Sequence, residues 1–160
     1  MIFPDATSQE AADIASISRL AACYSEAICR GAVEEAVLVY APDGVLSSST
    51  TEDAVGHATI ASTIREAVKA FEFVYNNTLN GVIRVEGDRA WARFPVTEIA
   101  KRHDGSALHF LGLYDDQLQR QPDGWRFTRR TLHGLTLGRI DSFSRSRTHQ
   151  LPAPELSLDR

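Results

Sequence analysis

Residues 87–132 constrain this chain most, because they have the pattern of three consecutive antiparallel strands. The segments are rich in β-branched, aromatic and aliphatic residues, and the turn dipeptides Asp104-Gly105 and Asp123-Gly124 separate them. Helical patterns dominate the chain before this stretch. An order with helices first and long strands last predicts an α+β domain rather than an alternating parallel α/β unit.

Composition limits the class of protein. The chain has 160 residues, of which 43% are hydrophobic and 24% charged, and this indicates one domain with a real core. Its net charge of -4 gives no overall attraction for nucleic acid or anionic lipid, so we expect neither partner. Without a secretory pattern or a run of membrane-spanning length, the expected location is cytoplasmic.

Three helices are predicted before the sheet. The first follows a capping box at residues 7–10, carries apolar residues at three- and four-residue intervals, and should end near Gly31. A short second helix carries Tyr40 on its apolar stripe, and a third covers residues 56–71. The polar residues 47–53 predict a mobile loop, either a lid at a pocket mouth or a plain solvated connection.

Cys23 and Cys29 are six residues apart on the first predicted helix. This spacing places them on different helix faces, which argues against a mutual disulfide or a shared metal. We therefore expect two reduced, buried side chains.

The predicted strand that begins at Arg89 carries a mid-strand acid, Glu98, on the same face as Phe94. Pro95 cannot donate to the hydrogen-bond ladder, so it predicts a bulge or an edge position. A bulge would change the face that Glu98 reaches.

The strand around His109 is apolar on both faces, which predicts a homodimer or homotrimer formed through the sheet. The last strand is predicted to end at Leu135, where the pattern fails. The sequence therefore predicts a domain over residues 7–135. Residues 136–160 are predicted to be a tail that is either disordered or packed on a neighbouring subunit.

Four segments together resemble the SnoaL-like branch of the nuclear-transport-factor-2-like superfamily. They are YSEAICRGAVEEAVLVYAPDGV, GHATI, NGVIRVEGDRAWAR and GLYDDQLQRQPDGWRFTRR, and the resemblance covers residues 14–132. The superfamily includes polyketide cyclases, ketosteroid isomerase, scytalone dehydratase and the small subunits of ring-hydroxylating dioxygenases. The resemblance implies a cone-shaped, strongly curved mixed or antiparallel sheet, with N-terminal helices closing a pocket for small apolar or cyclic molecules.

Two hypotheses on function follow from the resemblance. The first is a cofactor-free lyase, isomerase or cyclase that uses acid–base chemistry on a cyclic, polyketide- or steroid-like substrate. The second is a non-catalytic ligand-binding or assembly subunit similar to the dioxygenase small subunit. The second is favoured by two departures: residues 47–49 hold no counterpart of the isomerase's aspartate, and Ile28-Cys29 stands where scytalone dehydratase has a Tyr-Asp pair.

Three residues are the candidate catalytic groups. Tyr24 matches by position the tyrosine with which ketosteroid isomerase donates to a developing enolate oxygen, although a core tyrosine is the alternative. His109 is the first candidate for the general base, and the alternative is a structural or subunit-contact histidine. Glu98 is the second candidate, because burial would raise its pKa, unless one of three arginines pairs with it. These arginines are Arg93, Arg129 and Arg130.

Five further residues are predicted to contact a substrate: Tyr40, Tyr75, Asn80, Tyr114 and Trp125. For the four aromatic residues, packing of the cavity is the alternative. Asn80 matches an asparagine that recurs on this strand in the family. The histidines and cysteines lack metal-ligand spacing, so we expect no metal site.

Overall fold

A computed structural model describes residues 6–48 and 51–140 of the chain.

Helix α1 (Ser8–Arg30) has both of its ends where the sequence predicted them. The Thr7 side chain accepts a hydrogen bond from the Glu10 backbone N–H at 3.2 Å, which caps the first turn. Gly31 ends the helix with a left-handed φ of 71°. Both cysteines of α1 are free, but Cys23 is exposed, so the prediction that it is buried was wrong.

The other helical segments are shorter than predicted. They are α2 (Val33–Ala36), a single 3-10 turn (Val37–Val39) and α3 (Gly56–Val68). Tyr40 is the first residue of a strand rather than part of the second helix, and Phe71 opens the strand after α3. Within the described ranges, none of the helices combines the length and apolar character needed to cross a membrane.

In the described part of the chain, seven strands form one sheet behind these helices. They are β1 (Tyr40–Ser48), β2 (Thr51–Val55), β3 (Phe71–Thr78), β4 (Val82–Glu86), β5 (Arg89–Arg102), β6 (Ala107–Gln121) and β7 (Gly124–Arg139). The order is β2-β1-β7-β6-β5-β3, and β4 pairs with the first part of β5. Only the β1–β7 pair is parallel among the described strands. The α+β class, the curved cone-like sheet and the β5-β6-β7 meander are therefore confirmed.

Pro95 causes no bulge in β5. The strand keeps its register with β6 through the Pro95–Leu113 pair. On its other side Pro95 lies in the gap between β3 and β4, where its carbonyl accepts from the Leu79 N–H at 2.9 Å. Strand β5 is thus neither bulged at Pro95 nor an edge strand: the gap between β3 and β4 lets an interior strand carry a proline. Glu98 consequently stays on the same face as Phe94, toward the helices.

Two segments that the sequence predicted to be irregular contain strand. Ser48 pairs with Thr51 in the β1–β2 hairpin, so the mobile loop predicted for residues 47–53 is wrong for its described part. Strand β7 continues past Leu135 to Arg139, which pairs with Leu108 of β6. The predicted tail therefore begins with strand, and its residues 141–160 lie outside the described residues.

Candidate functional site

An interior cavity of about 170 Å³ lies between the helices and the concave face of the sheet. Aliphatic side chains, most of them from α3 and the neighbouring strands, form one wall. The remaining wall carries the polar side chains Tyr24, Thr63, Asn76, Glu98 and Tyr114. An apolar cavity with a few convergent polar groups is the usual form of a small-molecule site.

A second hollow of about 200 Å³ adjoins this cavity near the C-terminal end of α1. The two spaces share the aliphatic and aromatic side chains Ile28, Ile64, Val68, Phe71 and Val74. The two spaces are therefore neighbours on either side of these side chains.

A larger groove, of about 670 Å³, lies outside the β4–β5 hairpin around Trp91. Its acid, Glu86, is exposed and lies beside Arg84. The charged side chains of this groove are exposed to solvent, so they lack the water-excluded surroundings of the polar groups in the interior cavity. The interior cavity is therefore the candidate site.

Glu98 is the carboxyl group of the cavity. Burial raises its pKa, and the Asn76 side chain offsets part of this rise by donating from Nδ2 to Glu98 Oε2 at 3.1 Å. The three arginines considered as partners pair elsewhere: Arg93 with Asp115, Arg129 with Asp53 and Arg130 with Asp116. Within the described chain Glu98 thus has no ion-pair partner, and its raised pKa suits a general base.

Asn76 links Glu98 to Tyr114. The same Nδ2 lies 3.4 Å from the Tyr114 hydroxyl oxygen and donates to it. The amide orientation is set by Ser25, whose hydroxyl donates to Asn76 Oδ1 at 2.8 Å. Because the Tyr114 oxygen accepts from Asn76, its own proton remains available for a ligand oxygen.

Tyr24 and Tyr114 form a pair of phenols on one side of the cavity. Their ring centroids are 6.0 Å apart and their planes meet at 85°. Burial raises the pKa of both hydroxyls well above the ordinary value, so both remain protonated donors. Two buried phenols beside a carboxyl group can stabilise an oxygen that becomes negative while the carboxyl group moves a proton.

His109 does not reach this cavity. It lies on β6 an odd number of residues from Tyr114, and side chains alternate along a strand, so it is on the outer face of the sheet. There its Nε2 lies 2.9 Å from Thr97 Oγ1. Of the three candidate catalytic residues, the structure therefore brings together Tyr24 and Glu98 but not His109.

Among the five predicted substrate contacts, only Tyr114 lines the cavity. Tyr40 is buried behind it, against other aromatic rings. Tyr75 is 41% exposed on the outer face, and Asn80 is exposed between β3 and β4. The Trp125 indole N–H donates to Asp13 Oδ1, near the start of α1, at 3.1 Å. Tyr75 and Asn80 therefore lie away from this cavity, whereas Tyr40 fits the alternative of a residue that packs behind the cavity wall.

Sequence reasoning missed Asn76 and the buried pair of Arg130 with Asp116. The available signal for Asn76 was the alternation of β3, in which Asn76 and Thr78 share one face. No local pattern reveals the pair of Arg130 with Asp116, because the burial of Arg130 depends on a register shift between β6 and β7.

Within residues 6–48 and 51–140, no group of three or more His, Cys, Asp or Glu side chains is placed to hold a metal ion.

Comparison with known proteins identifies a family. Residues 9–131 match the model of the SnoaL-like domain. Among curated proteins, none matches the sequence significantly.

Solved structures with the same fold include three relevant proteins. A proposed aromatic ring hydroxylase from Novosphingobium aromaticivorans is 24% identical, with 84% of this chain and 98% of that chain covered and a TM-score of 0.75. A proposed scytalone dehydratase from the same species is 20% identical, with coverage of 81% and 89% and a TM-score of 0.74. The hexachlorocyclohexane dehydrochlorinase LinA-type3 from Novosphingobium barchaimii is 12% identical, with coverage of 89% and 96% and a TM-score of 0.76. At these identities the likeness is one of fold.

Proposed function

Because this chain belongs to the SnoaL-like domain family, we propose that its interior cavity is an active site for cofactor-free proton transfer on a small cyclic carbonyl compound. The reaction is an isomerisation, a dehydration or a cyclisation. One observation carries this proposal: the Asn76 amide donates to both Glu98 and Tyr114 in the cavity that Tyr24 also lines.

The chemistry begins at Glu98. Its carboxylate accepts a proton from a carbon next to the carbonyl group, and the electron pair of that C–H bond moves toward the carbonyl oxygen. Tyr24 and Tyr114 donate hydrogen bonds to this oxygen as it becomes an enolate. Protonated Glu98 then returns the proton to a second carbon, which completes an isomerisation. In a dehydration it protonates a departing hydroxyl group instead.

The cavity volume limits the size of the substrate. An apolar cavity of about 150 Å³ accommodates benzene. The present cavity of about 170 Å³ therefore suits one six-membered ring with small substituents. This volume favours a single ring over the four-ring, steroid-like substrate expected from the resemblance.

The wall also limits the charge of the substrate. Among the described residues, no lysine or arginine lines the cavity, while Glu98 contributes a carboxyl group. An anionic substrate would be repelled by ionised Glu98, and no cation in the described lining compensates for this repulsion. We therefore propose an uncharged ring compound with one hydrogen-bond-accepting oxygen. The names of two neighbours, a dehydratase and a dehydrochlorinase, support the reaction class by analogy only.

Proton exchange at carbon tests this proposal without knowledge of the natural substrate. The protein is incubated in D₂O with a panel of single-ring ketones such as cyclohexenone, and loss of the hydrogens next to the carbonyl is followed by proton NMR. We expect exchange above the buffer rate with the wild type and a loss of about a hundredfold or more in Glu98→Gln. Glu66→Gln is the matched control, because Glu66 is exposed on α3.

Two results would contradict the proposal. Equal exchange by wild type and Glu98→Gln would remove Glu98 from the mechanism. Binding of the ketones with no exchange at any pH would instead support the second hypothesis, a ligand-binding subunit that uses the same cavity without catalysis.

A further inference from the structure

Arg130 is the most deeply buried cation of the described chain, with no exposed surface. A register shift between β6 and β7 at Gln117 and Leu118 leaves Thr128 as an extra residue in β7. Phe127 and Arg130 therefore both point to the concave face, although simple alternation would separate them. Arg129 points outward, where it pairs with Asp53.

The buried guanidinium is held on one edge by a carboxylate. Arg130 Nε donates to Asp116 Oδ1 at 2.9 Å, and a second nitrogen donates to Asp116 Oδ2 at 2.7 Å. Asp116 is also fully buried. A buried charge requires such a partner, since an unpaired one costs several kcal/mol. Burial alone would lower the pKa of Arg130, but Asp116 and nearby phenols raise it above the ordinary value, so it is charged.

The faces of the guanidinium are covered by aromatic rings. Its central carbon lies 4.7 Å from the ring centroid of Tyr24, 4.2 Å from that of Tyr114 and 4.0 Å from that of Phe127. The first two rings are the phenols of the cavity. Arg130 does not line the cavity itself. It therefore lies directly behind the wall that would bind the substrate oxygen.

We infer that Arg130 is a positioning residue, which fixes the two phenols and strengthens their hydrogen bonds to a negative oxygen in the cavity. This inference rests on the proposed function. A cation against the face of a phenol ring holds the ring in place and draws electron density from its hydroxyl group. Among the described residues, the charged and titratable groups that act on the phenols are Arg130, Glu98 and Tyr40, and Arg130 is itself paired with Asp116. Arg130 is the one cation of this set.

Binding of para-nitrophenol tests the inference apart from catalysis. This single-ring ligand ionises to a coloured anion, so its absorbance reports the pKa of the bound phenol group. The reference protein is Glu98→Gln, whose uncharged side chain does not repel the anion. On this background the test variant carries Arg130→Met with Asp116→Leu, because removing both buried charges together avoids an unpaired one. The matched control is Arg129→Met, which removes an exposed arginine from the adjacent position.

We expect the bound ligand to ionise about one pH unit higher in the test variant, which corresponds to about tenfold weaker stabilisation of its anion. Arg129→Met should leave the bound pKa unchanged. Arg130→Lys, which keeps the charge but not the planar stacking, should lie between the two. It also serves as the measured variant if the paired substitution does not fold.

Three results overturn the inference. An unchanged bound pKa in the test variant would show that Arg130 does not act on the phenols. Equal weakening of the neutral and anionic ligand would indicate a structural role alone. Absence of ligand binding in Glu98→Gln itself would mean that the phenols form no oxygen site. Because Glu98→Gln is not expected to catalyse exchange, loss of exchange in that variant does not affect this test.

Discussion

Replacing Glu98 by Gln should make the protein more stable at neutral pH while it removes activity. Because the pKa of Glu98 is raised in the folded protein, the folded state holds this proton more tightly than the unfolded chain does. Its contribution to stability is fully present below the unfolded pKa. It is lost as the pH rises through the folded pKa, at up to about 1.4 kcal/mol for each pH unit between the two values.

Glutamine has no charge to desolvate, and its side-chain oxygen can still accept from Asn76. The stability difference between Glu98→Gln and wild type should therefore be constant at low pH, rise across that interval and level off above it. Urea denaturation at a series of pH values, followed by tryptophan fluorescence, measures this difference. The exposed control Glu66→Gln should show no such rise. A difference for Glu98→Gln that does not change with pH would refute the reasoning that Glu98 is buried at a cost.

Three further predictions follow from other sites. Asp13 accepts from Arg120 and Trp125, and its pKa is lowered from 3.8 to about 2, so Asp13→Asn should lose about 2 kcal/mol of unfolding free energy at neutral pH. This difference should vanish as the pH falls from 4 to 2, and a pH-independent difference in urea denaturation would contradict it. Tyr114→Phe should slow ketone proton exchange about ten- to a thousandfold in the NMR assay, and an unchanged rate would exclude its hydroxyl. The homodimer or homotrimer through the sheet stays a prediction: Leu111→Asp on the outer face should give monomers in sedimentation velocity, and a wild-type monomer would refute it.

The position of Tyr24 could be predicted because helical periodicity is local. Its three- and four-residue spacing to other apolar residues identifies the buried stripe of α1, and the structure has Tyr24 on that stripe. The cavity position of Glu98 was only half predictable. Strand alternation assigns Glu98 to the face of Phe94 only if β5 has no bulge at Pro95. The gap between β3 and β4 lets Pro95 fit without a bulge, and this gap is a feature of tertiary pairing.

The errors have a common physical cause in tertiary pairing. In β3 and the residue after it, the more apolar set of alternating residues, from Phe73 to Leu79, lies on the outer face. Hydrophobicity alone would therefore place this set toward the core and Asn76 on the surface, which is the reverse of the structure. On β6 both faces are apolar, so the sequence did not determine the side of His109. Arg130 points inward only because of the bulge in β7, which depends on pairing with β6 rather than on any local pattern.

A crystal structure with bound cyclohexenone tests the central claim most directly. The account predicts one ligand in the interior cavity, with its oxygen within hydrogen-bond distance of both the Tyr24 and Tyr114 hydroxyls and a carbon next to the carbonyl facing Glu98. A ligand held only in the outer groove around Trp91, or one whose oxygen points away from the two phenols, would contradict the account.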